Sequence, residues 1–158
     1  MKITDFVFAS NGDSRSVAWA GFVLRVALGT MWISHALLKV MVFTLPGAAK
    51  FFDSVGLPGF LVYPVVAAEI IGGAAILLGY RTRAVSVLLL PILLVATWVH
   101  SGNGWVFTAT GGGWEYPAFL VVASVVQALV GNGALALEQG GSRIAAHVSA
   151  EKRSLLAQ

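Results

Sequence analysis

Four long apolar stretches constrain the fold of this chain more than any other feature. They cover about residues 17–43, 60–79, 84–100 and 116–135. Each approaches or reaches about 20 residues, the length of an α-helix that crosses the hydrocarbon core of a bilayer. Because a backbone in lipid must satisfy its own hydrogen bonds, helices are the expected form. The sequence therefore predicts an all-α integral membrane protein built as a four-helix bundle.

The composition supports the same environment and excludes several kinds of chemistry. Of the 158 residues, 58% are hydrophobic and 11% are charged, whereas soluble domains carry about 25% charged residues. The chain has no cysteine, which excludes disulfides, iron–sulfur clusters and thiolate zinc sites. The ten Lys and Arg residues are better explained as topology signals than as a nucleic-acid surface. We predict a lipid bilayer as the partner and no nucleic acid.

Glycine and proline mark the connections between the apolar stretches. Pro46, Gly47 and Gly56–Gly59 mark a loop after the first stretch. Gly79 closes the second stretch before a tight turn, and Gly111–Gly113 lies in the loop before the fourth. The predicted organisation is a cytoplasmic N-terminal segment, a four-span domain and a cytoplasmic tail, at residues 1–16, 17–137 and 138–158.

The distribution of Lys and Arg predicts the orientation, because cytoplasmic loops carry an excess of these residues. With the N-terminus inside, seven of them lie on the cytoplasmic side: Lys2, Arg15, Arg81, Arg83, Arg143, Lys152 and Arg153. The outer side holds Lys50, with Lys39 near the end of a span. This bias predicts that both ends of the chain are cytoplasmic.

Charged residues inside the spans are the first functional clue. Arg25 lies in the first span and Glu69 in the second, beside the small residues Gly72 and Gly73. A charge at mid-bilayer costs roughly 2.5–3.5 kcal/mol on insertion scales, so such residues usually face the bundle interior and find partners. We predict a structural Arg25–Glu69 ion pair, because arginine is always charged. His35 is the alternative partner of Glu69.

A second interpretation, compatible with the first, is a polar pocket in the outer half of the first three spans. The candidate residues are Arg25, His35, Lys39, Glu69, His100 and Glu115. Two histidines and a carboxylate can bind a metal, but their spacing matches no local metal motif, and we predict none. The alternative to a functional pocket is an ion pair that only holds two helices together and performs no chemistry. A lone histidine at a helix end is often merely solvated.

Several short motifs resemble those of the DoxX family of small bacterial four-helix membrane proteins. They are Arg25–Gly29, His35–Lys39, Gly56–Gly59, Glu69–Gly73, Gly79–Arg83, His100 and Gly111–Pro117. Ala36 stands where the family commonly has glycine. The resemblance covers about residues 17–137, and the middle segment is its most specific part. It implies a four-helix bundle in the bacterial inner membrane.

On function, the resemblance implies membrane subunits linked to thiosulfate:quinone oxidoreduction, quinol oxidation, redox-stress complexes, or quinone and catechol detoxification. Without cysteine or a haem motif, a redox role needs a bound quinone or a partner subunit. The leading hypothesis is a quinone-interacting protein, alone or as an oxidoreductase subunit, with no covalent cofactor. The alternative is a non-enzymatic scaffold or assembly factor that presents its loops to a soluble redox partner. A small transporter, completed by a second copy of the chain, is less favoured because no inverted repeat is evident.

Overall fold

The computed structural model describes residues 14–138, and the structural statements below concern those residues. Within this range the chain is helical and has no strand, which confirms the all-α prediction. The five α-helices are α1 (Ser14–Leu37), α2 (Leu45–Ser54), α3 (Val62–Leu78), α4 (Thr82–His100) and α5 (Glu115–Val130). The predictions for residues 1–13 of the N-terminal segment and for residues 139–158 of the tail lie outside the described residues.

Three helical segments are long and apolar enough to cross a membrane. They are Ser14–Val42, which joins α1 to a π-helical turn at Leu38–Val42, then Gly59–Leu78 and Thr82–Asn103. The fourth, α5, is apolar but has only 16 residues, which is about 24 Å at 1.5 Å per residue. It ends at Val130, five residues before the predicted limit, because Gly131 adopts a φ of 86° that no α-helix can continue.

A short helix, α2, replaces part of the loop that the prolines and glycines predicted between the first two spans. Thr44 caps its N-terminus, where its side-chain oxygen accepts a hydrogen bond from the Gly47 amide at 3.3 Å. Pro46 lies in the first turn, where a missing amide proton costs little. Beyond the helix, an Asp53 carboxylate oxygen accepts from the Gly59 amide at 2.8 Å and fixes the turn into α3.

Close glycine contacts join α1 to α3. A methyl group added at Gly29 would lie 2.9 Å from the Gly73 carbonyl oxygen, and one added at Gly73 would lie 3.1 Å from the Gly29 oxygen. Small residues at such a crossing let two helix backbones approach closely within a membrane. This contact fixes the register of α1 against α3 and so decides which polar residues of the two helices face each other.

The bundle has two apolar core clusters and an apolar exterior. The larger cluster holds Leu28, Trp32, Ile76, Leu89, Leu93, Leu120 and Ala123, and the smaller holds Ala36, Ala48, Val62 and Val66. Large apolar side chains also point outward from the long helices, with Ile71 and Leu88 70% and 74% exposed. A water-facing surface rarely carries so much contiguous apolar area. The exterior is therefore that of a protein surrounded by lipid.

Candidate functional site

The acidic residue of α3 pairs with a residue other than the predicted Arg25. The Lys39 Nζ atom lies 2.8 Å from Glu69 Oε1 and 2.9 Å from Oε2, so it bridges both carboxylate oxygens. The Glu69 side chain is almost completely buried and that of Lys39 is 20% exposed. His35, the alternative partner, forms no hydrogen bond with Glu69 among the described residues.

Arg25 lies too far along the bundle to reach Glu69. Its guanidinium packs against Gly79, where an added methyl group would collide with it. Gly79 is ten residues beyond Glu69, which corresponds to about 15 Å along a helix. Arg25 instead donates hydrogen bonds to the carbonyl oxygens of Ala134 and Leu135, at 2.9 and 3.2 Å. The predicted Arg25–Glu69 pair was therefore wrong, and Arg25 ties the segment after α5 to the bundle.

Two histidines lie on different helices of the bundle, α1 and α4. His35 belongs to α1, and its Nδ1 atom lies 3.0 Å from the Met31 carbonyl oxygen. Its ring stacks on Tyr116 of α5, with the ring centroids 5.9 Å apart. His100 ends α4, and its Nδ1 atom lies 2.8 Å from the Ala96 carbonyl oxygen. In both residues a helix carbonyl one turn earlier orients the ring.

These groups line one cavity of about 830 Å³. Its polar side chains are His35, Lys39, Glu69, His100 and Tyr116, and its aromatic walls include Trp32, Phe51, Phe52 and Phe107. Most of the remaining lining is aliphatic, and its largest contribution comes from α4. The cavity therefore combines a broad apolar wall with a few ionisable or hydrogen-bonding groups.

A buried indole adds an unused hydrogen-bond donor to this cavity. Trp32 is 1% exposed, and its Nε1 atom has no hydrogen-bond partner among the described residues. Buried polar groups nearly always have a partner, and each exception needs an explanation. Because this atom also has almost no accessible surface, a ligand oxygen could reach it only after the neighbouring side chains shift.

Four of the six predicted site residues therefore share the cavity, and two do not. Arg25 lies near the middle of α1 and outside the cavity lining. Glu115 accepts a hydrogen bond from the Phe107 amide at 2.8 Å, which orders the loop before α5. Within residues 14–138, no three His, Cys, Asp or Glu side chains are grouped as a metal site. Trp32 and the aromatic residues of α2 were missed, because neither an apolar stripe nor a Pro/Gly-rich loop indicates a binding site.

A bundle of membrane-length helices around an apolar cavity with a buried ion pair defines a small multi-pass membrane protein. The DoxX family model matches residues 20–102. A curated Bacillus subtilis (strain 168) protein named "Putative oxidoreductase CatD" is 34% identical over 116 residues, which cover 73% of this chain and 82% of the relative. No solved structure matches the chain. The chain belongs to the DoxX family, as its motifs predicted, and four polar cavity residues, His35, Lys39, Glu69 and His100, lie within the matched range.

Proposed function

We propose that this protein binds a quinone-class ligand in the cavity between its helices and serves an oxidoreductase in the bacterial inner membrane. The observation that carries the proposal is the cavity itself. Its volume of about 830 Å³ falls within the roughly 300–1,000 Å³ of small-molecule sites, which are mostly apolar with a few polar groups that fix orientation. A quinone, with its flat ring, apolar tail and two oxygen atoms, has the complementary composition.

Individual contacts support this ligand class. Aromatic side chains such as Phe51, Phe52 and Phe107 can pack against a flat ring. The Tyr116 hydroxyl and the cavity histidines can form hydrogen bonds with the ring oxygens and hydroxyls of such a ligand. The Lys39–Glu69 pair keeps two opposite charges together inside the apolar wall. The ring would therefore lie in apolar surroundings, with its oxygen atoms at the polar groups.

The proposed redox role rests on membership of the DoxX family and on the absence of cysteine from the sequence. The curated relative carries the name "Putative oxidoreductase CatD". This sequence has no cysteine, so thiol and cysteine-ligated cluster chemistry is unavailable to its own residues. Electrons would therefore pass through the bound quinone or through a partner subunit. We propose that the protein is the membrane component of such a pair.

We also propose four spans with both ends of the chain in the cytoplasm. Arg81 lies in the turn between α3 and α4 and Arg83 in the first turn of α4, whereas residues 101–114, at the other end of α4, contain no Lys or Arg. After α5, the chain folds back against α1, where the Ala134 amide donates to the Ala18 carbonyl oxygen at 2.7 Å. This returning segment would lie at the cytoplasmic face and add to the length of the fourth span, which the short helix α5 forms.

Single cysteines can test this topology cleanly, because the chain has none of its own. Gly102 has open space around it, and Arg83 is exposed. A membrane-impermeant maleimide should label Gly102→Cys in intact spheroplasts, and Arg83→Cys only after permeabilisation. The opposite pattern would overturn the orientation, and labelling of both from outside would overturn the count of spans.

Ligand retention tests the binding proposal. Ala96 lines the cavity, and Ala67 on α3 is exposed outside its lining. Ala96→Phe should fill the cavity, whereas Ala67→Phe adds the same ring to the lipid-facing surface. We expect wild type and Ala67→Phe to co-purify with quinone, measured by mass spectrometry of the lipid extract, and Ala96→Phe to lose most of it. Equal quinone content in all three proteins would refute binding at this site.

A further inference from the structure

We infer that the cavity discriminates between the redox forms of its ligand and prefers the reduced, dihydroxylated ring to the oxidised dicarbonyl ring. This inference rests on the proposed function and specifies which form of the ligand the same site selects. It follows from the hydrogen bonds of His35 and His100, which determine what each ring can offer to the cavity.

Both histidines have their tautomer set by a backbone oxygen. A carbonyl oxygen only accepts hydrogen bonds. The contacts of His35 Nδ1 with Met31, at 3.0 Å, and of His100 Nδ1 with Ala96, at 2.8 Å, therefore place a proton on each Nδ1 atom. A neutral imidazole carries one N–H, so the Nε2 atom of each ring has a lone pair and acts as an acceptor.

Both Nε2 acceptors are available to a ligand. The two residues are half-buried and line the same cavity from α1 and α4. Within residues 14–138, no group donates a hydrogen bond to either Nε2 atom. The His100 Nε2 atom lies beside Gly112, where an added methyl group would be 3.6 Å away from it. Glycine at that position leaves the edge of the imidazole uncovered.

The two forms of the ligand differ in what they can give these acceptors. A hydroquinone hydroxyl donates a hydrogen bond to an Nε2 lone pair. A quinone carbonyl has no proton to donate, so its oxygen lone pairs meet the Nε2 lone pair and the two repel each other. The donors of the cavity do not discriminate in this way. The Tyr116 hydroxyl can donate to a hydroxyl oxygen as well as to a carbonyl oxygen, whereas the Lys39 ammonium already donates to Glu69 and to the His35 carbonyl oxygen. The Glu69 carboxylate, whose oxygens accept from Lys39, is almost completely buried and offers a ligand little accessible surface. The histidines are therefore the groups that distinguish the forms.

The size of the preference follows from the number of histidine contacts. One or two net hydrogen bonds of ordinary strength correspond to a preference of roughly 5- to 30-fold. The test is anaerobic calorimetry on detergent-purified full-length protein, with 2,3-dimethoxy-5-methyl-1,4-benzoquinone and its dithionite-reduced hydroquinone as probes. We expect the hydroquinone to bind more tightly by about this factor.

The matched variant is the double substitution His35→Phe with His100→Phe. It keeps an aromatic ring at both positions, including the one that stacks on Tyr116, but removes both Nε2 acceptors. We expect the two probes to bind this variant with nearly equal affinity, while Ala67→Phe retains the wild-type ratio. If the double variant does not fold, His100→Phe alone, at the end of α4, should reduce the ratio.

The outcomes separate this inference from the proposed function. Equal or tighter binding of the benzoquinone by the wild-type protein would overturn the inference and leave quinone binding intact. A preference that persists without the histidine rings would overturn it as well. If neither probe binds the wild-type protein and no quinone co-purifies, the proposed function fails, and the inference fails with it.

Discussion

Breaking the Lys39–Glu69 pair from one side gives the sharpest test of the energetics of this bundle. Lys39→Met removes the cation and keeps a long apolar side chain of similar volume. The Glu69 carboxylate then remains almost completely buried without a charged partner among the described residues. We expect a large loss of stability, whereas the double variant Lys39→Met with Glu69→Leu, which removes both charges, should recover most of it.

The magnitude follows from the contact distance and burial. At 2.8 Å and an effective dielectric constant of about 20, the attraction between two unit charges is about 6 kcal/mol. Desolvation of both groups offsets much of this, so the net contribution of the pair is small. Removing one partner strands the other charge, which typically costs about 3–5 kcal/mol. Replacing both with apolar side chains is often neutral.

Reversible unfolding of the purified protein in mixed detergent and SDS micelles, followed by far-UV circular dichroism, measures these differences. Lys50→Met is the matched control, because Lys50 lies exposed on α2, and its loss should change the free energy of unfolding by less than about 0.5 kcal/mol. A Lys39→Met variant as stable as this control would refute the reasoning. A double variant no more stable than Lys39→Met would show that the stranded carboxylate is not the cause.

Three further predictions concern other contacts. Gly73→Val should cost about 1–3 kcal/mol of unfolding free energy by overpacking the α1–α3 crossing, and unchanged stability would contradict the close glycine contact. Arg25→Met removes two charge-assisted hydrogen bonds, each contributing about 1.5–3 kcal/mol, so amide exchange within residues 131–138 should accelerate at least about tenfold. Exchange at the wild-type rate would show that Arg25 does not hold this segment. Asp53→Ala, which leaves the Gly59 amide without its acceptor, should cost about 1 kcal/mol in the same unfolding assay, and no loss would argue against this turn.

The sequence predicted the helical class and the membrane-length segments well, because long apolar stretches have few alternatives. It could not predict the partner of Glu69, because residue counting placed Glu69 between the levels of Arg25 and His35. In the structure, the crossing at Gly29 and Gly73 leaves Glu69 level with about residue 33, and the long Lys39 side chain extends back along its helix to the carboxylate. Residue counting does not show how far a flexible lysine side chain reaches along the helix.

The ionisable residues of the candidate site could be predicted from the sequence, but the aromatic residues of its walls could not. Histidines, a lysine and a carboxylate inside apolar stretches stand out, since the bilayer penalises them. The aromatic wall from α2 was hidden, because Pro46 and Gly47 indicated a loop. Proline in the first turn of a helix and a Thr44 cap instead start one. Trp32 gave no signal, because only the folded chain shows that its N–H group is buried without an acceptor.

The π-helical turn at Leu38–Val42 has a consequence for how this chain can vary in length. A π-helical turn corresponds to an α-helix with one extra residue inserted. Deleting one residue between Leu38 and Val42 would let the α-helix continue, and the residues after the deletion would keep nearly the same rotation, because the π-helical turn absorbs the extra residue. Lys39 lies inside this turn, so a one-residue gap there would alter the direction of the ammonium group while leaving the path into α2 nearly unchanged. Length polymorphism at this point should therefore coincide with loss or replacement of the acidic partner at position 69.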